Sequence, residues 1–402
     1  MSKSKQIFSF FKNKFALFCF AGLVACSSTD TGIRSGLPNS GTPSGVEKVL
    51  SPNPKGEVIG NGPVRVALLV PTSIPGGAAA VAKEIRNGAA MAMSDFGQNR
   101  IQLVIKDTAG QAAVAQTKAG EAAAEGASLI LGPLFAANVS AASGAAQPAA
   151  LPMLAFSTDT SVARRGVYLF SYTPQADTKR IIGYAASRGS RTITAFVPKN
   201  AEGAVRERSF REAAGRAGVT TNIVQYDRTP QGIQAAAQQA VQTVNASDTI
   251  YVPEGGPVPP VILGALKNAG VNLSGKTILG SGTWESVKTS DPLLQNALYP
   301  GRDVSAFNGF ATRYQSQFGA RPGVQAGLAY DAVTLAAELS RINGAANPYP
   351  RTSLESNRGY RGVNGAFRIR SDGTTDRGLA IYKIQGGRGT LIEGAISSFS
   401  GS

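Results

Sequence analysis

Short apolar runs alternate with segments of helical periodicity from residue 64 onwards. In residues 78–97, apolar side chains recur every three or four positions, which predicts an amphipathic helix. The same pattern predicts strands at 64–70, 101–105, 129–131 and 153–156, and further helices at 111–126 and 136–147. Apolar strands separated by helices are typical of a parallel sheet that is covered on both faces. These residues therefore predict a doubly wound α/β unit.

A second series of alternating elements follows Pro174. It predicts helices at 175–188, 203–217, 231–244 and 258–269, and strands at 192–197, 219–225, 249–252 and 277–279. The last elements are helices at 307–318 and 324–342, and strands around 365–369, 378–385 and 390–393. A folded part of about 340 residues is too long for one simple core, which favours two domains.

The predicted fold class is α/β, with two doubly wound parallel-sheet lobes and a cleft between them. A lone terminal hairpin is only marginally stable, so we expect the late elements to return and complete both domains. Lobe 1 is predicted to comprise residues 63–173 and 300–357. Lobe 2 is predicted to comprise residues 174–299 and 358–402.

The N-terminus has the three parts of a bacterial secretory signal. Four lysines precede an apolar run at 15–25, which ends in Leu-Val-Ala before Cys26. This pattern predicts a signal peptide at residues 1–25 and a lipid on Cys26, the alternative being an ordinary signal peptide with an incidental cysteine. The apolar run of 11 residues is shorter than the roughly 20 that span a bilayer. Ser27 favours the periplasmic face of the outer membrane over the inner membrane.

Residues 26–62 are rich in Ser, Gly, Pro and Thr and show no apolar periodicity. This composition predicts a lipidated flexible linker between the anchor and the folded part. The predicted anchor makes the membrane one partner of the protein.

Composition excludes several classes of chemistry. The chain has no histidine and two cysteines, of which Cys19 leaves with the signal and Cys26 is lipidated. Ser-His-Asp catalysis, Cys-His catalysis and histidine-containing zinc sites are therefore excluded. No phosphate-binding or dinucleotide-binding motif is present either. We predict a protein that is not an enzyme, with no catalytic residue, no metal and no cofactor.

The formal net charge of +15 raises the question of an acidic partner. Export and the scattered arginines argue against nucleic acid. The densest basic region is 351–390. It is either a solvated positive face or a contact for an acidic partner, lipid headgroups or cell-wall carboxylates.

Two predicted strands end in loops that could bind an anion. Strand 129–131 runs into Phe135, Ala136 and Asn138, and strand 153–156 runs into Ser157 and Thr158. In open α/β sheets, ligands lie beyond the carboxyl ends of strands, where free backbone N–H groups at helix starts favour an anion. The alternative is that Asn138 and Ser157 only cap their own turns.

Residues 64–218 resemble the type I periplasmic binding proteins of the leucine/isoleucine/valine class. The resemblance rests on the first strand and its turn and on segments 131–134, 152–157 and 169–174. A closer likeness is to the C-terminal domain of penicillin-binding protein activators, which are outer-membrane lipoproteins. It rests on segments 132–139, 153–157, 364–369 and 377–383. Members of that family carry a helical-repeat domain where this chain has the linker, so contacts through that domain are not implied.

The resemblance to the amino-acid receptors also implies which residue of the cleft would bind the ammonium group of a substrate. They hold the substrate ammonium with an acid of the second lobe, but the similar turn 279–284 has no acid before Glu285. Glu254, which follows another strand, is the candidate substitute, because a buried ammonium without a partner is costly. Trp284 either lines the cleft or belongs to the core.

Two functions are therefore expected. The first is a non-enzymatic lipoprotein that regulates peptidoglycan synthesis, in the manner of a penicillin-binding protein activator, by contact with a penicillin-binding protein or with peptidoglycan. The alternative is the solute-binding receptor of an ABC importer, with an amino acid or a small carboxylate as the ligand in the cleft.

Overall fold

The computed structural model describes residues 50–302 and 304–399. The predicted signal peptide, Cys26 and the linker as far as residue 49 lie outside the described residues. Within the described ranges, no helix has the length and apolar character that a bilayer crossing needs.

The first lobe is built on a six-stranded sheet. Its elements are β1 (Glu57–Ile59), β2 (Val64–Val70), α1 (Gly77–Ala92), β3 (Ile101–Asp107), α2 (Ala112–Ala124), β4 (Leu129–Leu131), α3 (Ala136–Ala146), β5 (Met153–Ala155) and β6 (Val167–Leu169). The strand order is β1-β3-β2-β4-β5-β6, and only β1 runs antiparallel to its neighbour.

Successive side chains of β2 enter different cores, as the twofold period of a strand requires. Val66 and Leu68 pack with α1, whereas Ala67 and Leu69 pack with the alanines of α2 and α3. Both faces of the sheet are thus covered, which explains why β2 is apolar at almost every position.

The second lobe is built on a seven-stranded sheet. Its first elements are α4 (Pro174–Ser187), β7 (Thr192–Pro198), α5 (Ala201–Ala217), β8 (Thr220–Tyr226), α6 (Pro230–Gln239), α7 (Val241–Asn245), β9 (Thr249–Tyr251), α8 (Val258–Asn268), β10 (Thr277–Leu279) and β11 (Leu298–Gly301). The remaining elements of the chain are α9 (Val304–Phe318), α10 (Val324–Asn343), α11 (Arg351–Leu354), β12 (Tyr360–Gly362), β13 (Gly365–Ile369), β14 (Thr375–Arg377), β15 (Ala380–Gln385) and β16 (Arg388–Glu393).

The strand order of the second sheet is β16-β15-β11-β10-β9-β7-β8. Strands β7 to β11 are parallel, and β15 and β16 are added antiparallel at one edge. Within the described residues the chain passes between the lobes near Ser171, Arg302 and Gly378. The predicted fold class is confirmed.

The late elements divide between the lobes differently from the prediction. Phe307 of α9 and Leu328 of α10 join the core of the first lobe. The small antiparallel sheet β12-β13-β14 joins it too, because Phe367 packs edge-on against Phe170 at 4.8 Å between ring centroids. Only residues from β15 onwards complete the second sheet, so the predicted assignment of all of 358–402 to lobe 2 does not hold for β12 to β14.

The predicted linker also ends earlier than expected, because residues 50–62 belong to the folded part. Strand β1 pairs with β3, and Arg65 donates a hydrogen bond of 2.8 Å to the carbonyl of Ser51. The buried Lys106 ammonium donates to the carbonyl of Lys55 at 2.6 Å and pairs with Glu125 at 2.8 Å. The prediction of a flexible linker as far as residue 62 was therefore wrong at its C-terminal end.

Candidate ligand cleft

Each sheet has a point where the strand order reverses, and the loops there form a crevice. In the first lobe β2 lies between β3 and β4, so the loops after Val70 and Leu131 flank the crevice. In the second lobe β7 lies between β8 and β9, so the loops after Pro198 and Tyr251 flank the crevice of that lobe. The predicted residues Phe135 and Glu254 follow strands at these two points.

The predicted residues of the first lobe have distinct environments. Phe135 precedes α3 with an extended backbone, and neither it nor Asn138 caps the helix through its side chain. Asn138 is buried, and its Nδ2 has no hydrogen-bond partner among the described residues. Ser157 Oγ accepts a hydrogen bond of 3.2 Å from the N–H of Asp159, as the turn alternative expects. Thr158 is exposed, and Ala136 is the first residue of α3.

The loops after β4 and β5 are joined directly. The N–H of Phe156 donates to the carbonyl of Pro133 at 2.9 Å. This bond brings the segment at Phe135 close to the segment at Ser157. The first N–H groups of α3 have no acceptor within the helix, which leaves them available to an anion.

Glu254 is the buried member of a charge network in the second lobe, whose other members, Arg228 and Glu202, are partly exposed. Its side chain is 4% exposed, and its Oε1 accepts a hydrogen bond from Arg228. Arg228 also holds Glu202 at 2.7 Å. Burial and the charge of Glu202 raise the pKa of Glu254 to about 7, although the charge of Arg206 acts in the opposite direction. Glu254 Oε2 has no hydrogen-bond partner among the described residues.

Trp284 belongs to the core of the second lobe rather than to the wall of the cleft. The side chain is fully buried, and its indole N–H donates to the carbonyls of Val252 and Glu254 at 3.0 and 2.8 Å. The indole therefore fixes the turn that carries Glu254 against the turn that follows β10.

A cavity of about 310 Å³ lies between the lobes, close to the crossing segments. It is lined by Tyr172, Asp177, Gly282, Thr283, Glu285, Pro300, Gly301, Arg302, Val324 and Leu379. None of the residues predicted to bind ligand is among them. The volume is at the lower end of the range for small-molecule sites.

Asp177 is the first charged group of this cavity. It lies in the first turn of α4, and its Oδ2 accepts a hydrogen bond of 3.1 Å from the N–H of Gly282. Burial raises the pKa of Asp177 to about 7, although the hydrogen bond and the charge of Arg206 act in the opposite direction. A cation in the cleft would stabilise the ionised carboxylate.

Glu285 and Arg302 form the second charged group. The guanidinium donates to Glu285 Oε2 at 2.9 Å, and the backbone N–H of Arg302 donates to Oε1 at 2.9 Å. The guanidinium also lies 5.1 Å from the ring centroid of Phe307. Arg302 Nη1 is buried without a hydrogen-bond partner among the described residues. An acid and a base thus adjoin the cavity together with Asp177, and the acid is Glu285, the residue directly after the turn 279–284 that holds no acid itself.

Two contacts join the lobes beside the cleft. Gln175 Nε2 of α4 donates to Thr160 Oγ1 of the first lobe at 2.8 Å. Lys179 of α4 pairs with Asp376 of β14 at 3.2 Å. Helix α4 is therefore an element of the second lobe that contacts the first lobe directly.

Two α/β lobes whose strand ends face a common cleft define a class of proteins that enclose a small molecule between two domains. The family described as periplasmic binding protein matches residues 63–389. The chain therefore belongs to the periplasmic binding protein family, which confirms the predicted resemblance to the periplasmic binding proteins. A search of curated proteins finds no match.

Solved structures with this fold share little sequence with the chain. A branched-chain amino acid ABC transporter periplasmic ligand-binding protein from Burkholderia xenovorans is 15% identical, with a TM-score of 0.66 over 84% of this chain and 97% of that one. A leucine-binding protein from Thermotoga maritima is 18% identical, with a TM-score of 0.58 over 83% and 98%. A solute-binding protein of an ABC transporter from Rhodopseudomonas palustris, in complex with 3,4-dihydroxybenzoic acid, is 18% identical, with a TM-score of 0.56 over 84% and 97%.

Proposed function

We propose that this chain is the solute-binding receptor of an ABC importer and that it takes a small amine-bearing solute into the cleft. The observation that carries the proposal is the Asp177 carboxylate in an inter-lobe cavity of about 310 Å³. The family, and neighbours that are receptors of ABC transporters, support the receptor function. Family membership also implies a periplasmic location.

The charges of the cavity favour an amine over a simple carboxylate. Asp177 has no ion-pair partner among the described residues, whereas Glu285 is neutralised by Arg302. An ammonium beside Asp177 would supply the missing countercharge and would offset the cost of burying the carboxylate. Rotation of the lobes about the crossing segments would then enclose the solute.

The experiment is a thermal-shift and calorimetric comparison on the full-length chain. Leucine and other amino acids are tested beside their deaminated partners, such as leucine against 4-methylpentanoate. We expect the amine-bearing member of a pair to stabilise the fold by about 2.7 kcal/mol at 100 times its Kd. Asp177→Asn should remove most of this stabilisation.

The matched control is Asp291→Asn. Asp291 caps its turn by accepting a hydrogen bond of 2.9 Å from the N–H of Leu293, and asparagine caps equally well. Affinity should therefore stay unchanged in this variant. Deaminated compounds that bind as tightly as the amines, or an Asp177→Asn variant with full affinity, would contradict the amine assignment.

We also propose that a lipid on Cys26 holds the protein at the periplasmic face of the outer membrane. This address fits the regulatory hypothesis better than the receptor function, because the receptor of an ABC importer works beside an inner-membrane permease. The support is the sequence pattern of residues 15–26 and Ser27. Cells that express the chain should incorporate radiolabelled palmitate into it, and Cys26→Ser should abolish the label. A Cys26→Ser protein that still carries the label would count against the lipid anchor. Fractionation of the protein with the inner membrane would count against the outer-membrane location.

The regulatory hypothesis makes a different prediction. Its support is the likeness of segments 132–139 and 364–369 to the penicillin-binding protein activators. A regulator would bind a bifunctional cell-wall synthase and raise its rate without any solute. Pull-down with the full-length chain tests this directly, and absence of binding to any cell-wall synthase would leave the receptor as the supported function.

A further inference from the structure

A second cavity, of about 550 Å³, lies in the first lobe at the sheet edge opposite the cleft. Its wall includes the amino-terminal ends of β5 and β6, whereas the cleft adjoins carboxyl-terminal ends of parallel strands. Neither the charges nor the loops of the cleft extend to this edge. We call this cavity the arginine cavity.

The arginine cavity is lined by three basic side chains and by no acid. Arg164 donates to the Ser143 hydroxyl, which does not neutralise its charge. The side chains of Arg165 and Arg351 form no ion pair or hydrogen bond among the described residues, and both residues are exposed. Other arginines of the described chain are also without an ion pair, but these three lie together around one recess whose lining includes no acid.

An adjoining cavity of about 530 Å³ shares Arg165 and Arg351 with the first. Its single acid is Glu355, which accepts a hydrogen bond of 2.6 Å from the hydroxyl of Tyr168. The two cavities therefore share the side chains of Arg165 and Arg351 as part of their walls.

The lining of the arginine cavity is apolar behind its arginines. Leu151, Met153, Val167 and Tyr349 are buried and form part of the wall. Ala150 completes it in the left-handed backbone conformation, with φ of 50°. A recess with an apolar wall and unpaired guanidinium groups matches an organic anion with an apolar body.

We propose that the arginine cavity binds an amphipathic anion, in which an acyl or aryl group carries a phosphate or carboxylate. The apolar part occupies the recess beside Leu151 and Val167, and the anionic group is held by Arg165 and Arg351. Arginine suits this role because its planar fork binds phosphate and carboxylate through two parallel hydrogen bonds. The source is either a free amphiphile or the headgroup region of an anionic lipid.

Calorimetric titration of the full-length chain with octyl phosphate tests the proposal. Inorganic phosphate and octanol are titrated alongside, as the anionic and the apolar half of the probe. We expect octyl phosphate to bind at least tenfold more tightly than either half, and added salt to weaken it. Arg165→Gln and Arg351→Gln should each weaken octyl phosphate by at least fivefold. Lys267→Gln, which removes an exposed charge from the second lobe, should not.

Vesicles with and without phosphatidylglycerol distinguish the two sources. Binding of soluble octyl phosphate that depends on Arg165 and Arg351 supports a free amphiphile. Binding to the anionic vesicles alone, lost in the same variants, supports a lipid headgroup. Equal affinity for octyl phosphate and inorganic phosphate, or unchanged binding of both probes in the two variants, overturns the proposal. Solute binding in the cleft should persist in both variants. A negative result for the arginine cavity is therefore distinguishable from failure of the proposed receptor function.

Discussion

The backbone N–H of Gly282 donates a hydrogen bond of 3.1 Å to the carboxylate of Asp177. The turn after β10 can approach α4 this closely because residue 282 has no side chain. A Cβ at Gly282 would lie 2.6 Å from Asp177 Oδ2, well inside van der Waals contact. The contact holds the carboxylate in the wall of the cleft.

Gly282→Ala should therefore displace the Asp177 carboxylate. We expect the affinity for an amine-bearing solute to fall at least tenfold, since hydrogen bonds to charged groups contribute about 1.5–3 kcal/mol. Calorimetric titration measures the change. Gly183→Ala is the control, because it lies in α4 with open space for a Cβ, where alanine favours the helix. An unchanged affinity in Gly282→Ala would show that this contact does not position the carboxylate.

Solute affinity should depend on pH through Asp177. Burial raises its pKa to about 7, and only the ionised form attracts an ammonium. Affinity is therefore expected to be constant well above pH 7 and to decrease by up to tenfold per unit as the pH falls below 7. Titrations between pH 5 and 8.5 test this, and the dependence should disappear in Asp177→Asn. A flat profile in the native chain would exclude Asp177 as the countercharge.

Stability should depend on pH in the opposite direction. Burial raises the pKa of Asp177 to about 7 and that of Asp331 to about 6, above their ordinary value of 3.8. Between pH 4 and 7 the folded state therefore binds more protons than the unfolded state, so the free energy of unfolding decreases as pH rises. We expect a loss on the order of 1–2 kcal/mol between pH 5 and 8 without solute. Urea unfolding at several pH values measures it, and Asp177→Asn should reduce the slope.

The sequence predicts the order of strands and helices because the spacing of apolar residues within each segment already indicates a strand or a helix. Strand β2 is apolar at nearly every position, and α2 is rich in alanine. Both elements can therefore be recognised without knowing which elements pack against them. Strand β1 was missed because its three residues lie in a Gly- and Pro-rich stretch, and only pairing with β3 makes them a strand.

The cavity between the lobes could not be predicted in the same way. Asp177 and Gly282 are 105 positions apart, and an acid in the first turn of a helix is common for reasons unrelated to ligands. Arg302 reaches the cleft only because the chain crosses between lobes there. From the sequence, Trp284 could equally line the cleft or belong to the core. The hydrogen bonds from its indole N–H to the carbonyls of Val252 and Glu254 favour the core.

Gly280 provides a test of the core around Trp284. A Cβ at Gly280 would lie 2.1 Å from the indole ring, and the indole is fixed by two hydrogen bonds. We expect Gly280→Ala to lower the free energy of unfolding by about 2–4 kcal/mol through overpacking. Trp284 is the single tryptophan of the chain, so its fluorescence reports urea unfolding directly. Gly215→Ala in α5, where a Cβ meets open space, is the control and should keep native stability.

The last prediction concerns closure of the cleft. The hydrogen bond of 2.8 Å from Gln175 to Thr160 crosses between the lobes, so it exists only while α4 lies close to the first lobe. Gln175→Ala should shift the lobes towards an open arrangement and lower solute affinity about fivefold, the value of one hydrogen bond of about 1 kcal/mol. Small-angle scattering without solute should show a larger radius of gyration in this variant. Gln242→Ala, at an exposed position of α7, is the control and should change neither the solute affinity nor the radius of gyration. If Gln175→Ala likewise changes neither, the contact does not hold the lobes together.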